Sequence, residues 1–130
     1  MLKRGIINPQ LNEALSYLGH TDAFVFADAG LPLPEDVATV DLTVTFGLPT
    51  MEDVMRTVMA ELVVEGATVA EECSDEYTSL VQETGKLSDA AITRVTHEEL
   101  KASLFDAKLI IRTGDTTPFA NAIFRCGVPF

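Results

Sequence analysis

The sequence predicts a single α/β domain over residues 1–130, a three-layer α/β/α arrangement with a mostly parallel or mixed central sheet. Three observations lead to this prediction. Short apolar runs typical of strands alternate along the chain with segments of helical periodicity. A length of 130 residues suits one domain with a sizeable core. No repeat, linker or low-complexity stretch divides the chain.

The first predicted element is a helix that begins near Asn8. This residue is placed to cap the helix, Pro9 occupies the first helical position, and apolar residues then recur on one face as far as Leu18. Gly19 is expected to end the helix in the left-handed conformation. We therefore expect His20 to leave the helix in a fixed direction.

Two strands are predicted next. The continuous apolar run over residues 23–27 is typical of a strand covered on both faces, and Asp28 stands at its carboxyl end. Over residues 39–45 apolar and polar side chains alternate up to Phe46, which predicts a half-buried strand closed by Gly47.

The clearest predicted helix begins at Thr50, with Asp53 three residues beyond this cap. Its apolar residues recur at helical spacing and include a methionine stripe: Met51, Val54, Met55, Val58, Met59 and Leu62. Such a stripe is typical of a core or of a contact between subunits rather than of a cofactor site, and both interpretations remain open.

The second half of the chain continues the alternation. In order, it predicts extended structure on both sides of Gly66, a helix over 74–84 ended by Gly85, a strand over 91–95, a helix with a Thr96–Glu99 capping box, and strands over 108–112 and 120–124. Because ligands of α/β domains gather beyond the carboxyl ends of strands, Asp28 and the loop over 113–118 are candidate site segments.

The net charge of the chain limits the classes of ligand and macromolecule that it can bind. Its net charge is -11, and its nine basic residues are scattered, so no basic stripe exists to neutralise phosphates. Nucleic acid is therefore excluded as a partner, and a neutral ligand is favoured over a phosphorylated one. A general acidic bias of the surface explains the same charge equally well.

The spacing of cysteines and histidines bears on metal and cofactor binding, and the apolar runs bear on the cellular location. Cys73 and Cys126 form no metal-binding or redox spacing, and His20, His97 and the carboxylates share no ligand-like spacing, so we expect no metal and no cofactor. No run approaches the roughly 18 apolar residues of a membrane span, and the first residues form no secretory core. The cytoplasm is the expected location.

Three short motifs carry a more specific signal. They are Gly-His-Thr-Asp at 19–22, Asp-Ala-Gly-Leu-Pro at 28–32 and Pro-Phe-Ala-Asn at 118–121. Together they resemble the D-ribose pyranase family of ribose and fucose mutarotases, and the likeness runs from Gly5 to Phe130. Glycine in place of Thr21 and Asn-Phe-Pro in place of residues 30–32 are usual in the fucose branch, so the ribose branch is the better match.

The resemblance implies an activity, a site and an assembly. The activity is interconversion of the β-pyranose and β-furanose forms of D-ribose, without a cofactor, in the cytoplasm. His20 is implied as the catalytic acid, and the residues implied to contact the sugar are Asp28, His97, Phe119, Ala120 and Asn121. The implied assembly is a ring-shaped homo-oligomer, a homodecamer, with sites at subunit interfaces, and the helix with the methionine stripe and the tail over 127–130 are candidate contact surfaces.

The chemistry of the residues agrees with these roles. A histidine titrates near neutral pH and can give or take the protons that ring opening requires. Our hypothesis is that His20 protonates the ring oxygen, while Asp28 binds sugar hydroxyls and orients His20. The sequence leaves open whether the two residues meet within one chain or face each other across a subunit boundary. The simpler alternatives are that His20 decorates a helix end, that Asp28 caps a turn, and that His97 and Lys101 are solvated residues of a surface helix.

One site position departs from the family. Relatives usually carry tyrosine where this chain has Phe119, so one hydroxyl donor is missing, and a ring able to pack on a sugar remains. No Gly-x-Ser-x-Gly elbow or phosphate-cradling loop is present, which argues against a serine hydrolase and a nucleotide enzyme. The alternatives that remain are an L-fucose-type mutarotase, a non-catalytic sugar-binding or transport-accessory protein, and a purely structural oligomer.

Overall fold

The computed structural model describes all 130 residues and contains four helices and six strands. The helices are α1 (Pro9–Ser16), α2 (Met51–Met59), α3 (Asp75–Gly85) and α4 (His97–Ser103). The strands are β1 (Ala23–Ala27), β2 (Ala38–Asp41), β3 (Val64–Ala70), β4 (Ile92–Val95), β5 (Leu109–Arg112) and β6 (Ala122–Cys126). Two 3₁₀ turns cover Asp89–Ala91 and Leu104–Asp106. The predicted α/β class is confirmed.

The strands form one mixed sheet in the order β2-β5-β1-β6-β3-β4. The pairs β2–β5, β5–β1 and β3–β4 are parallel, whereas β6 is antiparallel to both of its neighbours. Five strands therefore run in one direction. We refer to the side where these five strands finish, and where β6 begins, as the carboxyl end of the sheet, and to the opposite side as the amino end.

The direction of β6 follows from its connection. Residues 113–121 join β5 to β6 without a helix. A parallel strand requires a long crossover, so a short return of this kind brings the chain back antiparallel. The connecting loop consequently lies at the carboxyl end of the sheet, among the segments that follow β1, β3 and β4.

Helices cover both faces of the sheet, as predicted. On the face covered by α1, α2 and α3, the rings of Phe24 and Phe124 stack with centroids 5.6 Å apart, and Phe26 meets both edge-on at 5.7 Å. On the other face Val25 packs with α4 and the segment over 29–37. All four side chains are fully buried, which confirms that β1 is covered on both faces.

Helix α2 buries its methionine stripe within the chain. The Thr50 hydroxyl accepts a hydrogen bond from the Asp53 backbone N–H, as the sequence predicted. Met51, Met55 and Met59 are 2%, 0% and 6% exposed. The stripe is therefore part of the subunit core, so of the two interpretations that the sequence left open for it, the structure favours the core.

Strand β2 is shorter than the alternating pattern predicted. It ends at Asp41 rather than at Thr45: the Asp41 carboxylate accepts a hydrogen bond from the Thr43 backbone N–H at 2.9 Å, and the Val44 N–H donates to the Leu48 carbonyl at 3.0 Å. Val44 and Phe46 consequently lie in a loop and are 75% and 80% exposed.

The two glycines predicted to end helices do not do so in the expected way. Gly19 is outside the left-handed region, and its N–H donates to the Asp22 carboxylate at 2.7 Å, while Thr21 takes the positive φ of 71°. Gly85 is the last residue of α3, and Lys86 is left-handed with φ 53°. The remaining elements agree with prediction to within a few residues. No helix has both the length and the apolar character needed to span a membrane.

Candidate active site

Asp28 and Asn121 form a reciprocal pair at the carboxyl end of the sheet. Asn121 is fully buried; its Oδ1 accepts from the Asp28 backbone N–H at 2.7 Å, and its Nδ2 donates to Asp28 Oδ2 at 2.8 Å. Asp28 Oδ1 accepts from the Gly30 N–H at 2.8 Å. Asp28 therefore caps its turn, and because each carboxylate oxygen has a second lone pair, both oxygens keep capacity for a ligand hydroxyl.

The rings of His97 and Phe119 pack against each other beside this pair. Their centroids are 5.1 Å apart and their planes meet at 76°. Phe119 is left-handed with φ 60°, and its carbonyl accepts from the Asn121 N–H at 2.9 Å. This local geometry delays the start of β6 to Ala122, two residues later than predicted.

Backbone contacts at the start of α4 hold His97. The predicted capping box is present, with reciprocal bonds between Thr96 and Glu99. The His97 backbone N–H also donates to both carboxylate oxygens of Glu72, at 3.1 and 2.9 Å. Its ring Nδ1 is shielded from solvent and has no partner. A buried polar atom without a partner marks a position where a ligand or another subunit can supply one.

The remaining predicted residues at this end differ in what they offer. Ala120 is 1% exposed and its N–H donates to the Thr117 carbonyl at 3.3 Å, so within one chain neither its side chain nor its N–H is available to a ligand. Lys101 Nζ lies 2.6 Å from Glu98 Oε1 in an ion pair. Lys101 and Glu98 border a cavity of about 400 Å³, together with Phe105 and with Pro32 in the segment that follows the turn capped by Asp28.

His20 lies at the amino end of the sheet, away from the other predicted site residues. It precedes β1 whereas Asp28 follows it, and five strand residues rising about 3.3 Å each separate the two positions by roughly 16 Å or more. Within one chain, the hypothesis that Asp28 orients His20 is therefore wrong. The imidazole is instead 3.2 Å from Glu65, Nε2 to Oε2, with its side chain 54% exposed.

Asp115 is a structural carboxylate at the carboxyl end of the sheet. Its Oδ2 accepts from the Met51 N–H at the start of α2, and its Oδ1 from the Thr117 N–H. Burial raises the pKa of Asp115, but the hydrogen bonds from Thr117 and Met51 outweigh burial, and the pKa lies below its ordinary value. The carboxylate is therefore ionised at neutral pH. The polar loop over 113–118 was a predicted site segment, but nothing in the sequence singled out Glu72 or Glu65.

The structure contains no group of three or more histidine, cysteine or acidic side chains arranged to hold a metal ion. Both cysteines are free, and burial, followed by the charge of Asp22, raises the pKa of Cys126 to about 11, so this thiol is not an activated nucleophile. Burial also raises the pKa of Tyr77 well above its ordinary value. The chemistry available is therefore that of imidazoles, carboxylates and an amide.

Comparison with known proteins identifies the family of the chain. The profile of the RbsD / FucU transport protein family matches residues 1–129. A Corynebacterium glutamicum protein named D-ribose pyranase is 46% identical over 130 residues, covering the whole of both chains. Bacillus subtilis RbsD complexed with D-ribose has a TM-score of 0.90 at 39% identity, again over the whole of both chains. A Streptococcus pneumoniae fucose mutarotase in complex with L-fucose shares the fold at 21% identity, with a TM-score of 0.82 over 99% of this chain and 100% of the other. The resemblance inferred from the three motifs is thus confirmed, and the chain belongs to the RbsD / FucU family.

Proposed function

We propose that this protein is an enzyme, a mutarotase that interconverts the β-pyranose and β-furanose forms of D-ribose. One observation carries the proposal: the Asp28–Asn121 and His97–Phe119 pairs both lie at the carboxyl end of the sheet, in a chain that matches a relative named D-ribose pyranase along its whole length. Together these residues offer a fixed carboxylate, an amide, an imidazole nitrogen and an aromatic face, which are the groups that bind a polyhydroxylated ring.

The reaction needs proton transfers and no redox step. Opening the pyranose breaks the bond between the anomeric carbon and the ring oxygen; the anomeric hydroxyl loses a proton and the ring oxygen gains one. Closure on the neighbouring hydroxyl forms the new bond to the anomeric carbon and reverses both transfers. Atoms and electrons balance within the sugar and its acid and base, so the reaction requires no cofactor. A positioned acid or base contributes about 10²–10⁴-fold to such steps.

The roles that we propose are supported by the position and the contacts of each group. His20 gives the proton to the ring oxygen, because it is the exposed imidazole of the chain. Asp28 accepts hydrogen bonds from sugar hydroxyls in the orientation that Asn121 fixes. The imidazole of His97 binds a further hydroxyl, and Ala120, from its buried position, holds Phe119 and Asn121 in place beside the sugar. The Phe119 ring packs against the apolar face of the sugar.

A second subunit must complete the site, because one chain holds His20 and Asp28 at opposite ends of β1. We infer a ring-shaped homo-oligomer, a homodecamer as the family resemblance implies, in which His20 of one subunit meets Asp28 of its neighbour. The tail up to Phe130 stays exposed and is a candidate contact surface. The free thiols suit a reducing compartment, and we expect the protein in the cytoplasm.

Ribose is favoured over fucose by sequence similarity. Identity is 39% with the RbsD bound to D-ribose and 21% with the fucose mutarotase, and the first two motifs also match the ribose branch. A non-catalytic sugar-binding protein would use the same carboxylate and amide, but it would need no exposed imidazole. The test of function therefore has to measure turnover as well as binding.

The deciding experiment is two-dimensional exchange or saturation-transfer NMR on equilibrated D-ribose, with L-fucose in parallel. We expect the protein to accelerate pyranose–furanose exchange of ribose and His20→Ala to abolish the acceleration. Binding with unchanged exchange would support the sugar-binding alternative. Neither binding nor exchange would support a structural oligomer, and faster exchange of fucose alone would support a fucose mutarotase.

A further inference from the structure

The surroundings of His20 contain two charged side chains that the proposed chemistry does not use. Glu65 Oε2 lies 3.2 Å from the imidazole Nε2, and Glu65 Oε1 lies 2.9 Å from Arg125 Nε. The three residues come from three separate elements, the loop before β1, the start of β3 and the end of β6. One carboxylate thus contacts the imidazole through one oxygen and a guanidinium through the other.

A β-bulge accounts for the position of Glu65. In the pairing of β3 with β6, Val64 lies opposite Cys126 and Gly66 lies opposite Arg125, so Glu65 is an extra residue without a partner. A bulge bends the strand and redirects the side chain of the extra residue, and bulges are common next to active sites. In regular pairing Glu65 would lie opposite Arg125, whereas the bulge changes the direction of its side chain.

The loop that carries His20 is also fixed on both sides of the imidazole. Thr21 holds a left-handed φ of 71°, and its N–H donates to the Cys126 carbonyl at 3.1 Å. Lys108 Nζ donates to the Tyr17 carbonyl at 2.6 Å and to the Asp22 carboxylate at 2.8 Å. A residue keeps a strained backbone conformation only where the surrounding contacts hold it there, and such residues cluster at functional sites.

We propose that Glu65 is the positioning residue of His20, which rests on the proposed function of His20 as the acid. Glu65 accepts the hydrogen bond from the imidazole Nε2–H and so fixes the ring and its tautomer, while Arg125 holds the carboxylate in place. Nδ1 is then the nitrogen that donates the proton to the sugar. In the transfer, the Nδ1–H bond of the imidazolium breaks and its electron pair stays on Nδ1. The ring oxygen of the sugar gains the proton, and the Nε2–H group of the imidazole stays hydrogen-bonded to Glu65.

Stability does not explain this arrangement. The His20 and Glu65 side chains are 54% and 36% exposed, and Arg125 is 59% exposed. Ion pairs between exposed side chains contribute little to folding because solvent screens them. An exposed pair of this kind can still orient the imidazole. Removal of Glu65 should therefore change kcat rather than the midpoint of thermal unfolding.

The test compares Glu65→Ala, Glu65→Gln and the matched control Glu83→Ala, which removes another exposed carboxylate paired with an arginine, Arg56. We expect Glu65→Ala to lower kcat for ribose exchange by about tenfold or more with KM within about twofold, as for other residues that orient a reacting histidine through a hydrogen bond. Glu65→Gln keeps an acceptor oxygen and should recover part of the loss, and Glu83→Ala should match the wild type. Loss of the Arg125 contact in Arg125→Gln should add nothing to Glu65→Ala, because the two residues act as one unit.

A second measurement is independent of activity. Long-range ¹H–¹⁵N NMR of the histidine-labelled wild type should show neutral His20 as the Nε2–H tautomer, and Glu65→Ala should show a mixture. Wild-type kcat in Glu65→Ala, or an Nδ1–H tautomer in the wild type, would overturn the proposal. If instead His20→Ala keeps full activity, or the wild type has none, the proposed function fails, and the tautomer still decides whether Glu65 holds the ring.

Discussion

The Phe119 ring lies edge-on to His97 but brings no hydroxyl to the candidate active site. Phe119 as a residue is 38% exposed, and its left-handed backbone is the same for tyrosine, so the substitution adds no backbone strain. We predict that Phe119→Tyr lowers KM for D-ribose by about two- to tenfold with kcat nearly unchanged, because one added hydrogen bond is worth about 0.5–1.5 kcal/mol. Exchange rates over a range of ribose concentrations provide the measurement.

Phe46→Tyr is the matched control for this change, because Phe46 is also exposed and lies outside the predicted site. It should leave both kinetic constants as they are. An unchanged KM in Phe119→Tyr would mean that the sugar does not approach this ring, and the role proposed for Phe119 would have to be withdrawn.

The sequence identified residue types at the site better than it identified their partners. Asp28 and Asn121 stand in short motifs and could be named without a structure. Their mutual hydrogen bonds join positions 93 residues apart, and the contact between Glu72 and the start of α4 likewise depends on which strands are neighbours. Local patterns do not encode strand order, so such partners could not be predicted.

At the scale of elements, the end of α3 shows tertiary packing overriding local preference. Glycine usually takes the left-handed position after a helix, yet here Lys86 takes it with φ 53°. A Cβ on Gly85 would lie 3.1 Å from atoms of Leu87 and Phe124, so glycine is needed there for close packing instead. The starts of helices were predicted more accurately than their ends, and Asn8, Thr50 and Thr96 all cap as predicted. Capping at a helix start involves only residues that are neighbours in sequence.

The left-handed lysine leads to a paired prediction. Lys86→Gly should raise the stability by about 0.5 kcal/mol and Tm by about 2–3 °C, because relief of the left-handed strain exceeds the extra entropy of the unfolded chain. Gly85→Ala should lower the stability by about 1 kcal/mol through overpacking against Phe124. Thermal and urea unfolding measure both. Stabilisation by Gly85→Ala would contradict the packing argument.

Asp115 links the loop after β5 to the start of α2 and makes this junction sensitive to acid. The pKa of Asp115 is below its ordinary 3.8, because hydrogen bonds from Thr117 and Met51 outweigh burial. The folded chain therefore binds this proton less tightly than the unfolded chain, so the stabilisation is complete above about pH 4 and is lost as the pH falls through the folded pKa. Asp115→Asn should cost about 0.5–2 kcal/mol at pH 7, and the cost should shrink below about pH 4.

Urea unfolding of the wild type and Asp115→Asn at pH 7 and pH 3 measures this difference. The exposed Asp36 provides a control, and Asp36→Asn should match the wild type at both pH values. A cost for Asp115→Asn that is equal at pH 3 and pH 7 would show that the charge of Asp115 does not support the start of α2.

At the scale of the whole molecule, the direction of β1 decides where the chemistry can occur. The motifs with His20 and Asp28 are close in sequence, which made contact within one chain plausible, but an extended strand between them carries them to opposite ends of the sheet. The same five strand directions gather Asp28, His97 and Asn121 at one end and His20, Glu65 and Arg125 at the other. In the proposed mechanism, the acid His20 therefore lies at one end and the sugar-binding Asp28 and Asn121 lie at the other.

A complementation experiment follows from this separation. His20→Ala and Asp28→Asn should each be inactive as pure proteins, because every site lacks one group. When the two are unfolded together in equal amounts and refolded, a site is intact if its His20 comes from one variant and its Asp28 from the other, so about one quarter of wild-type activity should return in a randomly mixed oligomer. Mixing the folded variants without exchange of subunits is the control and should give none. If the refolded mixture also stays inactive while refolded wild type recovers, His20 and Asp28 do not act across a subunit contact, because only such a contact lets one defective chain supply what its neighbour lacks.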